Sequence, residues 1–479
     1  MIIITKNDEV YNHIDCPDMG TRQELCDYFT FKVPGHQFMP AFKNKVWDGK
    51  IRLFNTQTGL LYSGLMQYFE KFCEERNYEY EYTYNTAAEN FSVAEAKDFI
   101  SKQRFTMDPR DYQLDAFVDA VRYRRGLFVS PTASGKSFII YMIMRWHLKR
   151  TLIIVPTTSL VHQMYSDFED YGFKSEKYCH KIYSGQDKVT KKPVVITTWQ
   201  SIYKQPKKWF EKFDVVIGDE AHLFKAKSLT SIMTKLVNTE FRYGFTGTLD
   251  GTQTHKLVLE GLFGPVNKVT TTKELMKSGT VADMKIKIIN LTYDDFEKKI
   301  VSKLKYQEEM DFLVAHAKRN NFIKNLSLSL EGNTLLLFQY VDKHGVLLYN
   351  DIKKTDTERQ VFFIHGGVKG EEREEIRHIV ENESNAIIVA SYGTFSTGVN
   401  IKNLHNVIFA SPSKSKIRNL QSIGRALRKS DTKDSAVLYD ISDDLMWKSK
   451  VNYTMKHLFE RIKIYDEEKF VYKLYSVKI

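Results

Sequence analysis

From residue 126 onward, short runs of β-branched and aromatic residues alternate with longer segments whose apolar positions recur every three or four residues. Residues 126–130, 151–155, 193–197, 213–218 and 241–246 read as buried parallel strands, and 137–149, 159–170 and 228–239 as the amphipathic helices between them. The pattern restarts at 334–339, 360–364, 386–391, 405–410 and 436–441, with helical stretches near 343–354, 369–382 and 415–428. Strand–helix alternation of this kind predicts parallel sheets covered on both faces, and two series of it predict two tandem α/β domains.

Residues 1–105 break the rhythm. They are rich in Phe, Tyr, Glu and Lys, and read as a small α+β domain. A polar stretch at 84–89 and a helical segment lead to Asp108-Pro109, read as a linker end. The expected organisation is 1–105, an accessory domain; 106–280, the first motor domain; 281–445, the second; and 446–479, a helical, basic extension.

Hydrophobic residues make up 42% and charged residues 27%, with a mean hydropathy of −0.39, the composition of a soluble globular protein. No run approaches the roughly 20 apolar residues of a membrane span. Residues 1–6 are too short an apolar stretch for a signal peptide. Four scattered cysteines (Cys16, Cys26, Cys73, Cys179) form no Cys-x-x-Cys pair, as expected of free thiols in a reducing compartment. These features point to a cytoplasmic protein, in the host cell if it is phage-encoded. A net charge of +11 favours polyanionic partners, and the excess is uneven: Lys402 to Ile479 carries 16 basic against 9 acidic residues.

The chemistry begins where the first strand runs into Ser130-Pro131-Thr132-Ala133-Ser134-Gly135-Lys136-Ser137, followed by an apolar helix. This is the setting of a phosphate-binding loop, in which backbone N–H groups and a helix N-terminus cradle ATP phosphates. Lys136 would reach the β/γ oxygens and the Ser137 hydroxyl a Mg²⁺ ion. Ser130 stands at the first glycine of the general pattern, and Ala133 where many motors have Gly. Some 83 residues after Lys136, the strand at 213–218 ends in Asp219-Glu220. Asp219 is suited to hold Mg²⁺, and Glu220 to orient and deprotonate the attacking water.

Asp219-Glu220-Ala221-His222 resembles the DEAH box of superfamily 2 helicases, and further boxes follow in register. Arg110-Asp111-Tyr112-Gln113 resembles the adenine-reading motif, Ile154 to Leu160 motif Ia, and Thr197 to Ser201 the strand contact after it. Thr246-Gly247-Thr248 resembles motif III. Leu337 to Tyr340 stand at motif IV, Ser391 to Asn400 resemble motif V, and Gln421 to Arg428 motif VI.

The resemblance implies two RecA-like domains closing on ATP. Arg110, Gln113, Thr132, Ala133, Ser134, Gly135 and Gly398 would then contact nucleotide. His222, Thr246, Gly247, Thr248 and Gln421 would couple the two domains, and Arg425 and Arg428 would act as arginine fingers. Pro156, Thr157, Thr198, Gln200 and Ser391 would contact nucleic acid. Motif V is one residue longer than the common spacing, and Asn400 stands where many members have Asp.

Within the superfamily the chain most resembles the phage UvsW-type recombination helicases. The resemblance rests on Ala390 to Gly398, Ser413 to Ile417, Phe38 to Phe42 and Val46 to Phe54. It implies a DNA enzyme of recombination, repair and replication that regresses forks, migrates Holliday junctions and unwinds R-loops, with single-stranded-DNA-binding or recombination proteins as partners. Read directly, Lys45, Lys50 and Arg52 are DNA-contact candidates, while Phe31, Phe38, Phe42, Trp47 and Phe54 read as the core of the small domain. The histidines show no ligand spacing. The competing readings are an RNA helicase, a double-strand translocase that separates no strands, and a non-hydrolysing scaffold.

Overall fold

The computed structural model describes every residue except 357, 399, 400, 402, 412–414, 416–422 and 425–434. The described chain divides into two compact units, Met1–Ser130 with Gly135–Val269, and Pro131–Ser134 with Thr270–Ile479. The change of unit falls after Val269, short of the expected boundary at 280.

The first unit opens with a five-stranded sheet in the order Phe54–Asn55, Leu60–Tyr62, Tyr11–Asp15, Ile2–Lys6, Tyr80–Tyr82. Period-two alternation sets its faces: Ile2 and Ile4 are buried while Ile3 is exposed. The buried face meets the helices Met19–Tyr28 and Met66–Arg76 through Leu25, Phe69, Phe72 and Cys73. This core does not stop at the domain edge. It continues through Leu65 into Leu259, Leu262 and Phe263 of the helix Gln253–Phe263, so the N-terminal domain and the first α/β domain share one apolar interior. The segment expected to lead to a linker is likewise built in. A Ser92/Glu95 capping box starts the helix Val93–Gln103, whose Ala96 and Ile100, with Phe91, join the other core of the α/β domain beside Phe117.

One core expectation fails. Phe54 is buried and Phe31, Phe42 and Trp47 are half-buried, but Phe38 is 72% exposed. It sits on a loop between the paired strands Thr30–Lys32 and Lys50–Arg52, where the His36–Phe42 ring contact and the Trp47 Nε1–H bond to the Lys50 carbonyl fill the interior and leave Phe38 outside.

Seven parallel strands form the first large sheet, ordered Cys179–Ile182, Val194–Thr198, Thr151–Val155, Val215–Asp219, Phe241–Thr246, Arg125–Val129, Val266–Lys268. The middle strands are buried along their whole length, as a sheet covered on both faces requires. The two edge strands, with sequences CHKI and VNK, carry no apolar run and are absent from the sequence reading.

The second unit holds another seven-stranded parallel sheet, ordered Val361–Ile364, Ile387–Ser391, Thr334–Phe338, Asn406–Phe409, Ser435–Asp444, Asp283–Thr292, Val471–Lys478. The C-terminal extension contains the expected helix, Tyr453–Glu467, but ends in the strand Val471–Lys478, paired to Asp283–Thr292. A buried pair ties this helix to the sheet: Arg461 Nε donates to Asp440 at 2.8 Å, and Tyr465 donates to the same oxygen at 2.8 Å.

Candidate nucleotide and nucleic-acid site

The phosphate loop leaves the strand Arg125–Val129 through Ser130, whose N–H donates to the Thr246 carbonyl at 2.9 Å. Ala133 adopts φ +68°, the left-handed region. A side chain there costs about 1–2 kcal/mol, strain of the kind stored at functional turns. Gly135, at φ +78°, precedes the helix Lys136–His147, and a β-carbon on it would stand 2.4 Å from Gln113 Nε2, so any other residue there strains the backbone and displaces the Gln113 amide. Gln113 is buried against this turn. Its amide donates to the Gly135 carbonyl at 3.4 Å and accepts from Arg110 N–H at 2.9 Å, and the Arg110 guanidinium donates to Tyr112 Oη at 3.0 Å. The adenine-motif residues thus stand against the helix N-terminus.

Lys136 Nζ donates to the Ser130 carbonyl at 3.2 Å, folded over its own loop. Ser137 Oγ lies 2.8 Å from the Tyr171 hydroxyl, a partner that no motif pointed to. Asp219 ends the strand Val215–Asp219 and is nearly enclosed. Burial, then repulsion from Glu220, lifts its carboxyl to about 6, while Lys136 pulls it down. A crowded, desolvated carboxylate of this kind suits a divalent cation, and with the phosphate cradle beside it the residues fit Mg²⁺-nucleotide.

Glu220 carries φ +50°, a second strained non-glycine residue at the site. His222 Nδ1 lies 3.0 Å from Thr246 Oγ1 and 3.3 Å from Glu220 Oε2. Thr246 spends its own proton on the Thr248 carbonyl at 3.0 Å, so toward His222 it only accepts, as does the Glu220 carboxylate. His222 therefore carries its proton on Nδ1, shared between the two. Gly247 lies between these two threonines. Lys225 and Asp250 join the same two segments again, Nζ to Oδ2 at 2.5 Å, with His255 at 2.6 Å from that oxygen, a tether absent from the sequence reading.

The nucleic-acid candidates are placed unevenly. Val155 and Thr198 are register partners on adjacent strands, and Gln200 donates to the Pro156 carbonyl at 3.3 Å, which brings the motif Ia residues and their neighbour together. Thr157 caps the following helix and accepts from Leu160 N–H. Ser391 is buried and donates to Thr394. In the N-terminal hairpin Lys45 is exposed and Lys50 half-buried, while Arg52 is paired with Asp48 at 2.5 Å. Gly398 ends the helix Tyr392–Gly398, whereas Gln421, Arg425, Arg428 and Asn400 lie outside the described residues.

Three stretches match family models. Residues 2–82 match DNA helicase UvsW, N-terminal; 106–251 match Type III restriction enzyme, res subunit; and 317–430 match the helicase conserved C-terminal domain. The ATP-dependent DNA helicase uvsW of Enterobacteria phage T4 is 37% identical over 496 residues, 97% of each chain. The chain belongs to the UvsW helicase family. It is thus a superfamily 2 helicase that uses ATP. The crystal structure of T4 UvsW is similar over 100% of this chain and 99% of its own, with a TM-score of 0.53 at 34% identity. The DNA 3'-5' translocase XPB2 of Sulfurisphaera tokodaii is 27% identical over 67% of this chain and 79% of its own length. The two parallel sheets and the N-terminal α+β domain agree with the fold expected of tandem RecA-like domains. No helix among the described residues is long and apolar enough to cross a membrane.

Proposed function

We propose that this UvsW-family helicase remodels branched DNA, regressing forks, migrating Holliday junctions and unwinding R-loops. The observation that carries the reading is the N-terminal domain. It shares an apolar core with the ATP-binding domain and projects a loop on which Phe38, Met39 and Val46 are exposed among Lys32, Lys43 and Lys45. Five basic residues against one acid between Thr30 and Arg52 suit phosphates, and exposed apolar side chains suit base pairs opened at a branch.

In this reading Lys136 holds the β/γ phosphates, with Thr132, Ala133, Ser134 and Gly135 supplying backbone N–H groups, and Arg110 and Gln113 frame the base. Ser137 and Asp219 would hold Mg²⁺, which neutralises charge on the phosphates. Glu220 takes the proton of the attacking water, and the His222 proton shared with Thr246 ties that event to motif III. Arg425 and Arg428 would contribute positive charge from the second domain, Gly398 would contact the nucleotide, and Gln421 would couple the two domains. Pro156, Thr157, Thr198, Gln200 and Ser391 form the tracking contacts. Lys45, Lys50 and Arg52 meet the branch, Arg52 through the face its Asp48 pair leaves open.

Purified protein with ATP and Mg²⁺, offered a fork, a Holliday junction, an R-loop, a plain duplex and single-stranded RNA, is expected to hydrolyse ATP and move strands preferentially on the first three. Equal activity on all five overturns the branch-specific reading.

A further inference from the structure

Six cations gather around Trp209 in the first unit: Arg150, Lys188, Lys191, Lys207, Lys208 and Lys212. Lys207 and Lys208 share the short helix Lys207–Phe210 with Trp209, whose Nε1–H donates to the Lys188 carbonyl at 3.0 Å. Lys212 Nζ stands 4.5 Å from the centre of a Trp209 ring. Arg150 donates to the carbonyl of Thr190, next to Lys191, at 2.5 Å. None of the six enters an ion pair among the described residues. Three acids stand nearby, Asp187 and Asp214, which accept backbone N–H groups from Val189 at 2.9 Å and Arg150 at 3.2 Å, and Glu211, so the six positive charges keep an excess of three. Burial, then repulsion from Arg150, lowers the Lys212 pKa, which marks the crowding.

The cluster lies away from the ATP site. Arg150, Lys191 and Lys212 precede the strands Thr151–Val155, Val194–Thr198 and Val215–Asp219, whereas Pro156, Gln200 and Glu220 follow their ends. Five residues at about 3.3 Å each put about 16 Å of sheet between the two rims.

We infer that this rim is a second nucleic-acid site, one that takes the sugar-phosphate backbone of a duplex arm on which the motor is not translocating. The inference rests on the branched-DNA reading, because only a branched substrate offers a further arm. Trp209 is half-buried, its N–H is spent and Lys212 stands against its ring, so the rim offers charge without a base-stacking platform. That composition suits duplex phosphates over single-stranded bases.

The test is the full-length Lys188→Ala/Lys207→Ala/Lys208→Ala variant, checked for an unchanged melting temperature and titrated with a four-way junction from about 50 to about 200 mM salt. Each lost phosphate contact lowers the slope of log K against log salt by about 0.9, so the slope falls by about 2–3. Binding of single-stranded DNA and the ATPase it stimulates stay at wild-type levels, and the Lys→Arg triple variant keeps the wild-type slope. An unchanged junction slope overturns the inference, as does an equal loss on single-stranded DNA, which would merge the rim with the tracking site. If the wild-type protein does not distinguish junction from plain duplex, the branch reading fails by itself, and the variant's slope on plain duplex still decides whether the rim binds DNA.

Discussion

The N-terminal domain touches the motor through a seam without room for a methyl group. Gly64 lies in the turn Ser63–Leu65, and a β-carbon on it would stand 1.9 Å from the carbonyl oxygen of Glu260 and 2.8 Å from that of Gly261. Carbon–oxygen contacts settle near 3.3–3.6 Å, so Gly64→Ala forces the turn back by about 1.4 Å. Over that distance the bond from Tyr68 Oη to Glu260 Oε2, 2.7 Å, is lost, and Glu260 is 1% exposed, with the Val266 N–H and Lys256 Nζ, at 3.8 Å, both on its other oxygen. Overpacking costs about 1–3 kcal/mol and an unpartnered buried acceptor about 1–3 kcal/mol, together about 2–6 kcal/mol. That is a large part of the roughly 5–15 kcal/mol that holds a domain folded. Urea unfolding of Gly64→Ala is expected to show a lowered midpoint, with new protease cleavage in the polar stretch 84–89. DNA-stimulated ATP hydrolysis should persist while strand displacement collapses, because the hairpin no longer follows the motor. Tyr68→Phe, which removes only the hydroxyl, should fall between the variant and wild type. A Gly64→Ala protein with wild-type midpoint and displacement refutes the rigid seam.

Asp219→Asn should abolish hydrolysis yet stabilise the nucleotide-free protein. The carboxyl is raised from 3.8 to about 6, so its stabilising contribution is present below about pH 4 and lost as the pH rises through about 6. The gain in melting temperature is therefore expected at about pH 8 and absent at about pH 4, and an equal gain at both contradicts the cause assigned. Thr246→Val removes the hydroxyl between His222 and the Thr248 carbonyl, two hydrogen bonds at about 1 kcal/mol each. The ratio of DNA-stimulated to basal ATPase should drop about tenfold and Thr246→Ser should restore it, whereas an unchanged ratio removes the relay. Arg461→Ala leaves the buried Asp440 carboxylate without its cation, held by the Tyr465 hydroxyl, at a cost of about 3–5 kcal/mol to the second unit, and a loss under about 1 kcal/mol by denaturation would contradict it.

Strands buried on both faces were legible because each leaves an unbroken apolar run. Those at 151–155 and 241–246 sit where the pattern put them. The short edge strands left no such run. The strand Val471–Lys478 has neither a buried apolar run nor a period-two alternation, and it follows a basic, helical sequence, so nothing in the pattern marked it. Phe38 misled because its neighbours Phe31 and Phe54 do face inward, and composition cannot tell which aromatic of a loop a turn will turn outward. Lys136 and Asp219-Glu220 stood out as candidates because adjacent residues carry that chemistry, and the fold brings Lys136 close enough to act on the Asp219 carboxyl. Tyr171 beside Ser137, and Asp250 beside Lys225, are pairings made only by folding, and sequence spacing holds no trace of them.

The order of strands gives the proposed relay its place at Thr246. Phe241–Thr246 lies between Arg125–Val129, which feeds the phosphate loop, and Val215–Asp219, which feeds the acids, with register partners Thr246 to Val129 and Phe245 to Asp219. Neighbouring strands are about 4.8 Å apart, so Thr246 is within a hydrogen bond of both. Its carbonyl takes Ser130 N–H from one side and its hydroxyl takes the His222 proton from the other. A residue at the end of either outer strand would be two strand spacings, about 10 Å, from the far partner and could touch only one. A change in the phosphate loop and a change at Glu220 therefore meet at a single threonine, and the loop Gly247–Asp250 leaving it, tied to Lys225, is the segment through which either can move the rest of the domain.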